Sequence, residues 1–172
     1  MTTVLADGDL ALRLIKPDDL GEVLGLLQDE TVARWWGDYD PARVDEEYGE
    51  GADGDTVAYL IECDGQVAGL IQYSEETDPM YRHAGIDIAI RAQYQGRGIG
   101  PRAIRLVVRH LIAELGHHRL TIDPAAANRN AIRAYESVGF KPVGLMRKYE
   151  RGRDGTWHDG LLMDLLAEEF TG

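Results

Sequence analysis

The chain has 172 residues, of which 44% are hydrophobic, and a formal net charge of −12 at pH 7. Its length predicts one domain over residues 1–172 with a buried core, and its acidity argues against binding to nucleic acid phosphates. The chain has neither the roughly 18 consecutive apolar residues that span a membrane nor the pattern of a signal peptide, and its one cysteine excludes an intrachain disulfide, so we expect a cytoplasmic protein with no membrane partner.

Seven segments have the alternation or the apolar content of β-strands. In chain order they are LALRLI (10–15), VAYLIEC (57–63), QVAGLIQYS (66–74), AGIDIAI (84–90), HRLTID (118–123), KPVGLMRKY (141–149) and WHDGLLMDLL (157–166). The pair Asp64-Gly65 predicts a hairpin turn between the second and third of these strands. A second hairpin is predicted at the end of the chain.

Helices separate some of these strands. They are predicted at 18–27, in a short piece that ends at Trp35, at Pro101–Leu115 and at Asn128–Val138. The acidic, glycine-rich segment Gly37–Asp55 predicts a long loop. This order of elements predicts an α/β protein with one mixed central sheet of six to seven strands flanked by helices.

Three glycines, Gly96, Gly98 and Gly100, lie between the strand AGIDIAI and the long helix that follows it. In such a loop the backbone N–H groups point inward and the helix N-terminus carries partial positive charge. The loop therefore predicts a site for an anion, such as the phosphate of a cofactor. Arg97 and Arg102 are expected to add positive charge there.

The glycine pattern by itself is compatible with more than one cofactor. Gly98 to Ala103 matches the dinucleotide-binding fingerprint, and Asp123 follows about twenty residues later. That fingerprint opens a doubly wound fold, however, whereas four predicted strands precede it here and too little chain follows it. A Walker A loop is excluded because the chain contains no Gly-Lys-Ser or Gly-Lys-Thr.

Two longer motifs favour a different cofactor. Gln95–Gly100 has the pattern Q-x-x-G-x-G immediately after a strand, and Asn128–Phe140 has the pattern N-x-x-A-x-x-x-Y-E-x-x-G-F. Both resemble motifs of the GNAT superfamily of N-acetyltransferases, whose order of elements the full chain also follows. The resemblance implies a single-domain GNAT fold and acetyl-CoA as the cofactor.

The resemblance also implies roles for individual residues. The implied cofactor-binding residues are Ile88, Ala89, Ile90, Gln95, Gly96, Arg97, Gly98, Ile99, Gly100, Pro101 and Asn128. Tyr135 matches the tyrosine that protonates the departing thiolate. Without the family, Tyr135 is better explained as a half-buried aromatic residue, because it shares a helix face with Ala131 and Val138.

A closer resemblance concerns the substrate. The segments ARWWGDYD, EETDP with GID, and IDP with the later AIRAYE and GF are similar to the aminoglycoside 6′-N-acetyltransferases. This similarity implies that Asp87 and Asp123 bind an amino sugar, that Asp87 is also the catalytic base, and that Trp35 and Trp36 wall the site. The chain departs from that group in its glycine loop, which lacks a lysine, and at Ile88, where glutamine is frequent.

The distribution of charge agrees with a cationic substrate. Acidic residues crowd the segment 38–55, where Arg43 is the single basic residue. Carboxylates bind ammonium groups through charge-assisted hydrogen bonds and attract them over longer distances. Asp87 interrupts an apolar strand, which is costly unless its carboxylate is paired or faces a cleft. The alternatives are a solvated edge position for Asp87, a turn role for Asp123, and core packing for the two tryptophans.

These observations predict an acetyl-CoA-dependent N-acetyltransferase that acts on a small polycationic amine, with the 6′-amine of an aminoglycoside as the favoured substrate. Direct transfer in a ternary complex is expected, because Cys63 lies far along the chain from the cofactor residues. Alternative substrates are a polyamine, an N-hydroxylysine siderophore precursor and a protein N-terminus. An alternative of another class is a non-catalytic acidic binding module. No metal is expected, because the histidines lack ligand spacing; a monomer and a homodimer are both compatible.

Overall fold

The computed structural model describes residues 4–172 of the chain. Its strands are β1 Val4–Asp7, β2 Leu10–Leu14, β3 Thr56–Cys63, β4 Gln66–Glu76, β5 His83–Ile90, β6 Arg119–Ile122, β7 Lys141–Arg151 and β8 Trp157–Leu166. Its α-helices are α1 Leu20–Leu27, α2 Glu30–Trp36, α3 Pro41–Tyr48, α4 Ile99–Ala113 and α5 Arg129–Val138. Short 3-10 turns occur at Pro17–Asp19, Ala92–Tyr94 and Ala167–Glu169.

All eight strands form one mixed sheet in the order β1-β2-β3-β4-β5-β6-β8-β7. Every neighbouring pair is antiparallel except β5 and β6, which are parallel. The mixed α/β sheet flanked by helices is confirmed, with one strand more than predicted. The additional strand is β1, a four-residue edge strand that is too short to show alternation and that pairs with β2 across a turn in which Gly8 has a φ of 61°.

The prediction of a long loop over Gly37–Asp55 is wrong, because α3 lies within it. The carboxylate of Asp40 accepts a hydrogen bond from the backbone N–H of Arg43 at 2.8 Å, and proline occupies the first helical turn. Both are ordinary signals for the start of a helix. Val44 then anchors the helix, since it is 1% exposed. The helix was not predicted because the acidic, glycine-rich composition of the segment is typical of a loop.

The helices cover both faces of the sheet. Alternate residues of β3 point to opposite faces: Tyr59 and Ile61 pack with α4 and α5, whereas Leu60 packs with α1 to α3. The sheet is therefore buried on both sides near its centre. This burial explains why its middle strands have nearly continuous apolar sequences.

The strands β5 and β6 separate soon after they meet. Among residues 4–172, only Ala84 with Leu120 and Gly85 with Thr121 form register pairs between them. From Ile86 onward β5 pairs on one side with β4, while β6 continues beside β8. The separation opens the sheet between the end of β5 and the end of β6.

Candidate active site

A cleft of about 1660 Å³ occupies the opening between β5 and β6. It runs from the glycine loop and the start of α4, past β5 and α5, to α2 and the β7–β8 hairpin. Its walls include Trp35, Trp36, Asp87, Ile88, Ala89, Ile90, Gln95, Gly96, Gly98, Ile99, Gly100, Pro101, Asp123, Asn128 and Tyr135. The structure therefore brings the residues that the sequence singled out for the site to one cleft, apart from Arg97 and Arg102.

The glycine loop presents backbone N–H groups at the start of α4. Gly96 and Gly98 have φ values of 72° and 75°, in the left-handed region that favours glycine. Gly98 is the N-cap residue of α4, and no side chain caps the helix there. The first N–H groups of α4 therefore lack an intrahelical partner and are suited to bind an anion.

Gln95 holds this loop in place. Its side-chain amide donates to the backbone oxygen of Ile90 at 2.8 Å and to the hydroxyl of Thr31 at 2.9 Å. A second tie joins the same two parts of the fold, because the backbone N–H of Ala92 donates to the carboxylate of Asp29 at 2.9 Å. The side chain of Gln95 is thus used within the protein, where it fixes the loop against β5 and α2.

The side chains of the two arginines that were expected to add charge at the loop contact other residues. The guanidinium of Arg97 lies over the ring of Tyr94, 5.2 Å from its centroid. Arg102 forms a salt bridge of 2.8 Å with Asp9, at the turn between β1 and β2. The cleft instead has Arg129 and Arg133 of α5 on its wall. These two residues carry no motif signal that the sequence could have supplied.

Helix α5 contributes Asn128 and Tyr135. The side-chain oxygen of Asn128 accepts a hydrogen bond of 3.2 Å from the N–H of Ala131, which caps the helix and leaves the amide N–H₂ free to donate. Tyr135 is 8% exposed, and its hydroxyl makes no hydrogen bond to another residue of the described chain. Burial, followed by the carboxylates of Asp87 and Asp123, raises the pKa of Tyr135, so its phenol holds a proton at neutral pH.

Three carboxylates lie along the cleft: Asp87 on β5, Asp123 after β6 and Glu150 on β7. Asp87 is accessible from the cleft, yet protein surrounds it on most sides. That burial, with the charges of Asp123 and Glu150, raises the pKa of Asp87 to about 6, while a hydrogen bond from Gln72 opposes the rise. Burial and Asp123 also raise the pKa of Glu150. Carboxylates that repel one another along one cleft are suited to bind a cation, which relieves their repulsion.

Asp123 is also bonded across the cleft. It accepts a hydrogen bond of 2.6 Å from the hydroxyl of Tyr149, and this bond is the main reason why the pKa of Tyr149 rises to about 12. The sequence analysis did not identify Tyr149 and Glu150 as site residues, because the hairpin around them has no family motif. The many charged residues of the segment RKYERGRD were the one available signal.

Aromatic side chains and two ion pairs enclose the acidic end of the cleft. Trp35 and Trp36 line one side and Trp157 lines the other; Trp36 also packs against the apolar layer beneath α1 to α3. The guanidinium of Arg153 pairs with Glu30 at 2.9 Å and with Asp38 at 2.8 Å. These pairs join the turn of the β7–β8 hairpin to α2 and the segment after it.

Cys63 lies outside this cleft, where it is 5% exposed and its thiol donates to Asp9 at 3.3 Å. With Asp9 and Asp64 it forms a group of potential metal ligands at the turns beside β2 and β3. No helix within residues 4–172 has both the length and the apolar character needed to cross a membrane.

Comparison with known proteins identifies relatives of the chain. Residues 9–141 match the sequence model of a family described as "Acetyltransferase (GNAT) domain". The aminoglycoside N(6')-acetyltransferase type 1 of Klebsiella pneumoniae is 29% identical over 157 residues, which cover 81% of this chain and 77% of that protein. The spermidine N(1)-acetyltransferase of Escherichia coli K12 is 29% identical over 112 residues, which cover 65% of this chain and 59% of that protein.

Known structures share the fold. The spermidine N-acetyltransferase from Vibrio cholerae in complex with CoA and spermine superposes with a TM-score of 0.83 at 20% identity, covering 96% of this chain and 100% of that one. The ribosomal-protein-S5-alanine acetyltransferase from Vibrio fischeri superposes with a TM-score of 0.84 at 17% identity. The overlap covers 99% of this chain and 100% of that one.

The raised pKa of Asp87 predicts a pH-dependent gain in stability for Asp87→Asn. The folded state holds the Asp87 proton more tightly than the unfolded state, so the parent loses stability as pH rises from 3.8, the ordinary pKa of an aspartate, through about 6. Asparagine imitates the neutral form. We expect Asp87→Asn to have a higher free energy of unfolding than the parent at pH 7.5, and the difference to shrink toward zero near pH 4.

Urea denaturation at both pH values measures this difference. Glu46→Gln is the matched control, because it removes one exposed carboxylate from α3 outside the cleft; a surface change of this kind alters stability by less than about 0.5 kcal/mol. An Asp87→Asn protein that is less stable than the parent at pH 7.5 would show that Asp87 is not a strained carboxylate.

Proposed function

The chain belongs to the GNAT family of acetyltransferases, and we propose that it transfers the acetyl group of acetyl-CoA, the cofactor of this family, to a small polycationic amine. One observation carries the proposal. The cleft that begins at the anion-binding glycine loop also contains a protonated, buried phenol at Tyr135 and an accessible carboxylate of raised pKa at Asp87. These are the two groups that an acyl transfer to an amine needs.

The residues at the glycine loop fit the cofactor. The free N–H groups at the start of α4 suit a pyrophosphate, and Gly98 and Gly100 keep side chains away from it. Asn128 and Ile88–Ile90 line the cleft farther along, and we expect the amide of Asn128 to bind the pantetheine arm and the backbone of Ile88–Ile90 to bind the thioester oxygen. When bound, the cofactor supplies an acetyl thioester, an activated acyl group that an amine attacks.

Side chains of the protein carry out the two proton transfers that the reaction needs. An ammonium must lose a proton before it can attack, and the carboxylate of Asp87 accepts that proton, directly or through a water molecule. At the other side of the reaction, the Tyr135 hydroxyl holds a proton that it donates to the departing thiolate. A well-placed acid or base of this kind typically contributes about 10²–10⁴-fold. Cys63 lies outside the cleft, which supports direct transfer in a ternary complex.

The acidic end of the cleft supports an aminoglycoside as the substrate, acetylated on its 6′-amine. Asp87, Asp123 and Glu150 offer three carboxylates to several ammonium groups, and the aromatic walls suit the faces of sugar rings. The relative that acts on aminoglycosides also aligns over more of this chain than the one that acts on spermidine. Spermidine is the second candidate, because that relative is equally identical over its matched residues.

A panel of amines tests the substrate. Thiol release from acetyl-CoA is measured with kanamycin, spermidine, lysine, N-hydroxylysine and a peptide with a free N-terminus. We expect turnover with kanamycin, with a kcat/KM at least about 10-fold above that for any other amine, a preference of roughly 1.4 kcal/mol. Preference for spermidine would make the protein a polyamine acetyltransferase. Binding of acetyl-CoA without turnover of any amine would favour a non-catalytic module.

Gly100→Val tests the cofactor site. Gly100 has an ordinary helical φ, and a β-carbon there would meet Ile90 at 3.8 Å, so the fold accepts a side chain while the cofactor would not. The lost backbone bonds to a charged group are worth about 1.5–3 kcal/mol each, so we expect acetyl-CoA affinity to fall about 100-fold in calorimetric titration. Gly25→Val is the control, since that helical glycine has the same 3.8 Å clearance, from Arg91, outside the cleft. Equal acetyl-CoA affinity in the two variants would show that the glycine loop does not bind the cofactor.

Tyr135→Phe tests the acid. The ring and its packing are retained and only the proton is removed, so we expect kcat to fall about 10²-fold or more with little change in acetyl-CoA affinity. Steady-state kinetics and calorimetric titration measure the two quantities. A loss of stability with normal kcat would show that Tyr135 is only a packing residue.

A further inference from the structure

Tyr48 is not on the wall of the cleft, but its hydroxyl contacts Gln72, a residue that is. Tyr48 is the last residue of α3, where its ring packs against the apolar layer beneath α1 to α3. Its hydroxyl donates a hydrogen bond of 2.9 Å to the side-chain oxygen of Gln72 on β4. Gln72 lies on the wall of the cleft and is directly opposite Asp87 in the register of β4 and β5. Side chains paired in this way lie on the same face of the sheet, within reach of each other.

The amide of Gln72 has two ends with opposite chemistry. Its oxygen accepts hydrogen bonds and its N–H₂ group donates them. While the oxygen accepts from Tyr48, the N–H₂ group is left to donate to the carboxylate of Asp87. If the amide rotated by half a turn, its oxygen would face the carboxylate, and the two acceptors would repel each other. In the structure the Tyr48 hydroxyl donates to the amide oxygen, and this bond stabilises the orientation that suits an ionised Asp87.

We propose that Tyr48 is a positioning residue of the amine site: through the Gln72 amide, it keeps the Asp87 carboxylate ionised and aimed into the cleft. The inference rests on the proposed role of Asp87 as amine ligand and base. It assigns a function to α3, the helix that lies in the segment predicted to be a loop. Tyr48 itself is not required to touch the substrate.

The other groups around Asp87 do not replace this bond. The titratable groups whose charge affects Asp87, or is affected by it, are Asp123 after β6, Glu150 and Tyr149 on β7, Tyr135 on α5, and Tyr39 and Tyr48 on or beside α3. The two carboxylates on the far wall oppose ionisation of Asp87. Arg43 is already paired with Glu47 at 3.0 Å, and Glu47 also accepts from the hydroxyl of Tyr39 at 2.8 Å. The Gln72 amide is the group that counters the two carboxylates, in accord with its lowering effect on the pKa of Asp87.

Tyr48→Phe tests the proposal, because it removes the hydroxyl and keeps the ring. We expect the acid limb of the pH profile of kcat/KM to move upward by about one pH unit, as for the loss of one hydrogen bond to a charged group. Acetyl-CoA affinity should not change. Tyr39→Phe is the matched control: it removes a hydroxyl beside the same helix, but one bonded to Glu47, so the midpoint of that limb should stay in place.

A double-mutant cycle separates positioning from a merely structural role. Gln72→Ala should move the acid limb as Tyr48→Phe does, and the two changes together should move it no farther than either alone. Additive shifts, or a Tyr48→Phe protein that loses stability while its pH profile is unchanged, would overturn the proposal.

A carbon-13 NMR titration of the Asp87 carboxyl in the resting protein makes the test independent of catalysis. The titration midpoint should rise in Tyr48→Phe and stay in place in Tyr39→Phe even if no amine in the panel is a substrate. If the midpoint rises as expected and no amine is acetylated, the proposed function fails while the link from Tyr48 to Asp87 stands. An unchanged midpoint in Tyr48→Phe refutes the link itself.

Discussion

The separation of β5 from β6 is the constraint on which the rest of the site depends. The two strands share only two register pairs within residues 4–172 and then diverge, so one edge of β5 from Ile86 onward faces a cleft instead of another strand. Backbone groups at such an edge need other partners, and in the proposed reaction the cofactor supplies them. Asp87 and Asp123 then lie on opposite walls of one opening, although 36 positions separate them in the chain.

A gap in a central sheet is tolerated because the surrounding elements hold its two sides. β8 pairs with β6 and extends the sheet beyond the gap, and the buried faces of α4 and α5 cover one side of it. The bonds of Gln95 to Ile90 and Thr31 join the glycine loop to β5 and α2. The N–H groups at the start of α4 are thereby held at the end of β5. Fixing these N–H groups before a ligand binds lowers the entropic cost of binding an anion there.

The sequence predicted those parts of the site whose signals are local. The glycine loop and the Asn128–Phe140 segment each lie within one short motif, and the cleft contains the residues named from them, except Arg97 and Arg102. β1 was missed because four edge residues show no alternation, and α3 because its charge masked an Asp-Pro helix start. Glu150, Tyr48 and the internal role of Gln95 could not be predicted, because each depends on which residue lies opposite across the sheet or the cleft.

The three carboxylates of the cleft have opposite effects on the binding of an amine and on its activation. A carboxylate site binds an ammonium well, but it also favours the protonated amine, which cannot attack a thioester. A base whose pKa lies closer to the working pH takes up the proton more readily, and burial with Asp123 and Glu150 moves the pKa of Asp87 in that direction, to about 6. Too large a rise would leave Asp87 neutral and unable to bind a cation or accept a proton. The Gln72 amide opposes that rise, so the position of one uncharged group decides whether this acidic cleft can both hold an amine and activate it.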